Sequence, residues 1–181
     1  MNHSIDWLMR TRRRWWPVFD DLLSSDVTPI NGYGVYAIWP RERVGLIEEP
    51  VQHVSSRLRS LGFRREPVAA LKTRAKTGEW SAGSWVIKGR KLAELIDVDE
   101  YNSEHNVEEM QLHITLFAME NGTEVNAHYE YRWEPWTPHW DSERPWRHKR
   151  PSKYEGHYSP AEGVAMVTDL FDKEGVKYNY D

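Results

Sequence analysis

Four side chains suited to acid–base chemistry lie within one stretch of this sequence, Gln111–Arg132, where polar and apolar residues alternate. They are His113, Thr115, His128 and Glu130. An imidazole beside a carboxylate is held in one tautomer and becomes more basic, which suits a general base or a metal ligand. A neighbouring hydroxyl can orient a phosphoryl oxygen. These residue types therefore predict a catalytic group, provided that the fold brings them together.

A β-hairpin is the element that must position them. Two alternating runs flank Asn121-Gly122, and Asn-Gly between such runs is the strongest short-range signal for a hairpin. We expect Glu120 and Thr123 to flank a two-residue turn. A one-residue slip in its register would move the apolar side chains into water, so the alternation specifies which side chains share a face.

The polar face of this hairpin is the predicted site. In the expected register His113 lies opposite Glu130 and Thr115 lies opposite His128, with opposed Cβ atoms about 5 Å apart. Arg132 on the same face could bind an anion. The alternative is an ordinary solvated face, because polar residues on one side are expected of a half-buried antiparallel sheet.

The other face of the hairpin predicts the core and the fold class. We expect an α+β fold in a single domain of residues 1–181. A mainly antiparallel, twisted sheet of about five strands would have about three helices packed on one face. The apolar side chains that face these helices are Leu112, Ile114, Leu116, Ala118, Val125, Ala127, Tyr129 and Tyr131.

Capping and periodicity signals predict the remaining elements. Ser159-Pro-Ala-Glu162 combines an N-cap serine, a proline at the first helical position and a capping-box glutamate. Short apolar runs predict a second hairpin that joins Tyr33–Trp39 to Val44–Ile47. They also predict that Pro67–Lys76 pairs with Ser84–Ile87. Further predictions are helices at Ile5–Leu23, Pro50–Leu61 and Lys91–Ile96 and an edge strand at Val176–Tyr180.

A Trp- and Arg-rich segment, Trp133–Tyr158, follows the hairpin. It holds four prolines and four of the ten tryptophans, and it has no sustained periodicity. Its indoles and guanidinium groups could stack bases or sugars, or dock another protein. The alternative is a long loop packed down by its own side chains. The predicted ligand-binding residues are Arg132, Trp133, Trp136, Trp140, Trp146 and Arg147.

The run Leu112–Phe117 also resembles the His-hydrophobic-Thr-hydrophobic strand of the 2H phosphoesterases. That family uses two such motifs on neighbouring strands to cleave or form cyclic phosphodiester bonds. The resemblance covers six residues, and only His53-Val-Ser55 and His157-Tyr-Ser159 approximate a second copy. We expect the first of these on a helix and the second at a helix cap, so half of the motif is missing.

Composition narrows the class of protein. The chain has no cysteine, which excludes disulfides and thiolate metal sites. No apolar run reaches the length of a membrane span and the N-terminus lacks a signal-peptide core, so we expect a cytoplasmic protein. Six of the eight histidines lie between His105 and His157, but none has a strong metal-ligand spacing. We therefore predict neither a metal nor another cofactor.

Charge is divided unevenly along the chain. Residues 1–90 hold 15 basic and 9 acidic side chains, whereas residues 91–181 hold 9 basic and 19 acidic ones. Such asymmetry is typical of a chain with an anion-binding face. The alternative is that the two halves pack together and partly neutralise each other.

Two functions of different class follow from these patterns. The first is a binding protein, whose Trp- and Arg-rich segment and polar hairpin face bind an unknown protein or a nucleotide or nucleic-acid partner, without a membrane. The second is a phosphodiesterase-like enzyme acting on a nucleotide or nucleic acid, with His113 and His128 as acid and base. An enzyme would need both imidazoles to line a concave pocket open to solvent. We predict the binding protein, because no complete catalytic set is visible.

Overall fold

The computed structural model describes residues 36–66, 72–74, 77–96, 107–131 and 158–180. The predicted N-terminal helix at Ile5–Leu23 lies outside the described residues. All six predicted ligand-binding residues, Arg132, Trp133, Trp136, Trp140, Trp146 and Arg147, also lie outside them. What was inferred about these residues therefore stays a prediction.

The described residues form an α+β fold, which confirms the predicted class. The strands are β1 (Tyr36–Ile38), β2 (Arg43–Ile47), β3 (Arg64–Arg65), β4 (Lys72–Arg74), β5 (Gly83–Lys88), β6 (Met110–Met119), β7 (Gly122–Tyr131) and β8 (Tyr158–Ser159), and the helices are α1 (Val51–Ser60), α2 (Arg90–Leu95) and α3 (Pro160–Lys173). A six-stranded antiparallel sheet has the order β2-β7-β6-β5-β3, and β8 pairs with β7 beyond the end of β2. β1 and β4 form a separate parallel pair.

The central hairpin of β6 and β7 is present, but its turn comes one residue earlier than predicted. Met119 pairs with Gly122, so the turn residues are Glu120 and Asn121. The predicted register, with Glu120 and Thr123 flanking the turn, is therefore wrong. Each residue of β6 meets a partner two positions away from the expected one, so every side chain keeps its predicted face.

Gly122 gives the physical reason for the shift. Its φ is +152°, and a Cβ atom there would lie 2.2 Å from the carbonyl oxygen of Ile47 on β2. The glycine therefore serves as a close-contact position where β7 meets β2, rather than as the second residue of the turn. Only a residue without a side chain allows this approach.

We expect Gly122→Ala to lower the free energy of unfolding by about 3 kcal/mol, because it adds overpacking to backbone strain. The matched control is Gly78→Ala. Gly78 has a φ of +68°, and no heavy atom of the described residues lies within 4 Å of where its Cβ would be. The control should lose only about 1–2 kcal/mol from strain. Urea denaturation measures both, and equal losses would contradict the role given to Ile47.

Two predicted strand pairings are wrong. β1 and β2 do not pair with each other, because β2 pairs with β7 and β1 pairs with β4. The 3-10 turn Pro40–Glu42 connects β1, in its pair with β4, to β2, in the six-stranded sheet. β5 pairs with β3 and β6, and the described part of the predicted Pro67–Lys76 strand, β4, pairs with β1 instead. Four of the five β2 residues are buried. Beside the central β7 these apolar side chains are packed in the core. Burial of this kind outweighs the preference of neighbouring strands to form a hairpin.

The predicted helices at Pro50–Leu61 and Lys91–Ile96 are confirmed as α1 and α2. The predicted cap of α3 is also confirmed, since the Ser159 hydroxyl accepts a hydrogen bond from the Glu162 backbone N–H at 3.2 Å. The predicted edge strand Val176–Tyr180 is reduced to one bridge between Asn179 and Leu46. No helix within the described ranges is long and apolar enough to cross a membrane.

The apolar face of the hairpin forms the core as predicted, except that Ala118, near the turn, is exposed. Leu112, Ile114 and Leu116 of β6 are fully buried. They belong to one cluster with apolar side chains of all three helices, including Val54, Leu58, Leu92, Met166 and Val167. Burying each such side chain contributes roughly 1.5–3 kcal/mol. The helices thus cover one face of the sheet, and the polar side chains point to the other.

Candidate functional site

The predicted polar face is buried rather than solvated. In the observed register His113 lies opposite His128, where Glu130 was predicted. Each imidazole-bearing residue is only 5% exposed. The alternative of an ordinary solvated face is therefore wrong for this part of the hairpin. Buried polar groups need partners, so the contacts of these side chains define the site.

Glu42 contacts His128 from the 3-10 turn Pro40–Glu42. Glu42 is fully buried, and its Oε2 lies 2.9 Å from His128 Nδ1. Its Oε1 accepts a hydrogen bond from the Trp39 backbone N–H at 3.1 Å. Burial alone would raise the pKa of Glu42. The hydrogen bond and the charge of His128 contribute most to a larger opposite effect, which brings this pKa below its usual range. An ionised carboxylate only accepts hydrogen bonds, so His128 Nδ1 carries the hydrogen.

Lys72 on β4 contacts the other imidazole. Its Nζ lies 3.2 Å from His113 Nδ1, and the lysine is 3% exposed. An ammonium group only donates hydrogen bonds, so His113 Nδ1 accepts here. Burial, and next the Lys72 charge, lower the pKa of His113 well below its usual range. His113 is therefore neutral near pH 7.

Glu130 lies between the two imidazoles. Its Oε1 is 3.7 Å from His113 Nδ1 and 3.8 Å from His128 Nε2. It accepts a hydrogen bond from Gln111 Nε2 at 2.9 Å. Burial alone would raise the pKa of Glu130. The charges of His113, His128 and Lys72, with a hydrogen bond from His128, have the larger combined effect and hold this pKa far below its usual range. Glu130 is therefore an anion held among nitrogen atoms.

Tyr158 closes one side of the cluster. It pairs with Glu130 across β7 and β8, and its ring centroid lies 4.8 Å from that of His128. Burial, and next the charge of Glu42, raise the pKa of Tyr158 far above its usual range. The phenol therefore stays protonated and can act as a hydrogen-bond donor to a carboxylate.

Thr115 is not part of this cluster, which corrects the predicted site. It lies opposite Asn126 rather than His128, on the same face and two residues from His113. Its neighbour across the sheet is Ser84 on β5. Both hydroxyl oxygens are buried and form no hydrogen bond within the described part of the chain. The face thus continues as a polar interior beyond the histidines.

A cleft of about 210 Å³ lies farther along the same face. Glu124 is its buried anion, and it pairs with Arg74 Nη1 at 2.5 Å and with Arg43 Nε at 3.6 Å. The Arg74 guanidinium also lies 4.4 Å from the ring centroid of Phe117. Trp39 is 50% exposed. The lining residues are Ile38, Trp39, Pro40, Arg43, Arg74, Glu124 and Asn126.

Sequence reasoning missed Glu42, Lys72 and the cleft. Glu42 is separated from His128 by 86 positions, and Lys72 is separated from His113 by 41. A spacing pattern within one segment of the sequence cannot predict contacts between residues so far apart along the chain. The one available signal was Pro40-Arg-Glu-Arg43, a charged segment between the two strands of the predicted second hairpin.

The second half of the 2H phosphoesterase motif is not supplied by His53. That residue is exposed on α1, which agrees with the helix predicted for it. Comparison with protein families, with curated proteins and with solved structures found no match to this chain. The chemistry of the site therefore has to be argued from its own geometry.

Proposed function

We propose that this protein is a binding protein whose cleft on the polar hairpin face holds one planar, anionic group, of the nucleotide class. The observation that carries the proposal is the half-exposed Trp39 beside two arginines on the rim of the 210 Å³ cleft. An exposed indole offers a stacking surface for a base, and an arginine can bind a phosphate or carboxylate in a bidentate way. Asn126 adds an amide at the hairpin side of the cleft.

The size and charge of the cleft support a small ligand. Ligand pockets for drug-sized molecules are about 300–1,000 Å³, so this cleft fits one base or one sugar phosphate. Glu124 is shared by Arg43 and Arg74, whose side chains are still 33% and 20% exposed. A bound anion would therefore extend an existing network of alternating charges.

The burial of the histidines supports binding over catalysis. His113 and His128 are each 5% exposed, and neither is among the residues that line the cleft. A general acid or base has to come within hydrogen-bond reach of the proton it transfers. The phosphodiesterase-like alternative is therefore the less supported of the two. The same proposal includes a cytoplasmic location. It also includes a contribution to ligand binding by Arg132, Trp133, Trp136, Trp140, Trp146 and Arg147.

The test is calorimetric titration of the full chain with AMP, UMP and inorganic phosphate. We expect a nucleotide to bind more tightly than phosphate, and Trp39→Ala to weaken nucleotide binding about 5- to 100-fold through lost stacking. The control is Tyr180→Ala, which removes an aromatic side chain that is 65% exposed elsewhere. No binding by the wild type, or equal losses in both variants, would overturn the proposal.

A further inference from the structure

We propose that His113, His128 and Glu130 bind a divalent transition-metal ion, with Zn²⁺ the best match to this donor set. Two imidazoles and one carboxylate with an open fourth position form a common catalytic zinc set, and they also suit Fe²⁺. One potential ligand atom from each residue lies within 4.8 Å of the others. This inference goes beyond the proposed ligand cleft and does not depend on it.

Three acceptor atoms converge at this point, which is the first argument for a cation. His113 Nδ1 faces the Lys72 ammonium and so presents a lone pair. Glu42 fixes the hydrogen of His128 on Nδ1, so in the neutral ring Nε2 also presents a lone pair. Both nitrogens face the anionic oxygen of Glu130. When both rings are neutral, two nitrogen lone pairs and one carboxylate oxygen thus lie around one point, and this is a ligand set that binds divalent transition metals.

The distances are the second argument. Glu130 Oε1 is 3.7 Å from one ligand nitrogen and 3.8 Å from the other. Tetrahedral Zn²⁺ with bonds of about 2.1 Å places its ligand atoms about 3.4 Å apart. The two nitrogens lie within 4.8 Å of each other, so they would have to approach by up to about 1.4 Å, which side-chain rotation can supply with both strands left in place.

The surrounding hydrogen bonds are the third argument. Metal-binding histidines usually donate their other N–H to a carboxylate, and ligating carboxylates are hydrogen-bonded in turn. His128 has this partner in Glu42 at 2.9 Å, and Glu130 has one in Gln111 at 2.9 Å. Glu42 is fully buried, so it is positioned for His128 rather than for solvent. Glu42 acts through His128 and is a positioning residue.

Lys72 competes with the metal ion for His113 Nδ1. Its ammonium lies 3.2 Å from His113 Nδ1, which is one of the proposed ligand atoms. Like charges at this separation repel strongly in a buried site. An entering ion must therefore displace the ammonium, so Lys72 weakens metal binding in the native chain. Removal of Lys72 should produce a gain of affinity, which a purely structural role would not predict.

The experiment is titration of the EDTA-treated, full-length protein with ZnCl₂ by calorimetry and chelator competition, followed by the absorption spectrum with Co²⁺. We expect one ion bound at this cluster and the visible bands of tetrahedral Co²⁺. His113→Gln and His128→Gln should abolish binding, and Glu42→Gln should weaken it about 10- to 100-fold. Lys72→Met should tighten it at least about tenfold. The control is His53→Gln, which removes an exposed imidazole on α1.

Several results would overturn the assignment. These are no Zn²⁺ bound by the wild type, unchanged binding by both histidine variants, or a loss in His53→Gln as large as theirs. Circular dichroism identifies a variant that fails to fold. If a histidine variant fails to fold, the Zn²⁺ affinity of Lys72→Met is the deciding measurement. An affinity equal to or weaker than that of the wild type rejects the site. Trp39→Ala should leave Zn²⁺ binding unchanged, so the metal site and the nucleotide cleft can fail separately.

Discussion

Gly163→Ala should destabilise the protein by about 3 kcal/mol or more, although alanine is the better helix former by about 1 kcal/mol. A Cβ atom at this position would lie 2.3 Å from His128 Cα, 2.5 Å from its carbonyl carbon and 2.7 Å from its nitrogen. All three are backbone atoms of β7, so no side chain can move away to relieve the contact. Either α3 or β7 has to shift.

The control for this prediction is Asp169→Ala, an exposed position on the same helix. It should change the free energy of unfolding by no more than about 0.5 kcal/mol. Thermal and urea denaturation measure both variants. The prediction is wrong if Gly163→Ala is as stable as the wild type. If it holds, NMR of the His128 and Tyr158 rings, which lie on β7 and its neighbour β8, tests whether β7 is the element that shifts.

Glu42→Gln should lower the free energy of unfolding by about 3 kcal/mol, at the upper end of what a hydrogen bond to a charged group contributes. The substitution keeps the shape of the side chain but removes the charge from a fully buried position 2.9 Å from His128. The control is Glu79→Gln, which breaks an ion pair with Arg74 at 3.1 Å on a side chain that is 44% exposed. An exposed pair contributes at most about 1 kcal/mol.

Acid provides a second measurement for Glu42. Its pKa is lowered in the folded state, so its contribution is present above the ordinary carboxyl pKa of about 4.3 and fades as pH falls through the lower folded value. The stability difference between the metal-free wild type and Glu42→Gln should therefore shrink below about pH 4. A difference that stays constant down to pH 2 would contradict the role given to the ionised carboxylate of Glu42.

The elements predicted best are those whose signals are local. The alternation of β6 and β7 and the N-cap at Ser159 depend on residues a few positions apart, and both are observed. The register could not be predicted in the same way. Gly122 is a common turn residue in a hairpin, but here its missing side chain admits the backbone of Ile47. That contact becomes visible only when β2 is placed beside β7.

Half of the site was predictable and half was not. His113, His128 and Glu130 share one face of a hairpin, and that face follows from the alternation alone. Glu42 and Lys72 come from a turn and a short strand that are distant in sequence. The three residues of the proposed metal site lie on two adjacent strands, and residues that meet across two strands have no characteristic separation along the chain.

The last residues of the chain also bear on how the protein can be handled. Asn179 exchanges two backbone hydrogen bonds with Leu46 on the outer side of β2, and Gly45 leaves room for that approach. An unpaired strand edge is a template for pairing with foreign chains. The segment Val176–Tyr180 thus satisfies the edge of β2 at Leu46. Truncation before Asn179 would leave this part of the edge unpaired, and we expect the shortened protein to aggregate more readily.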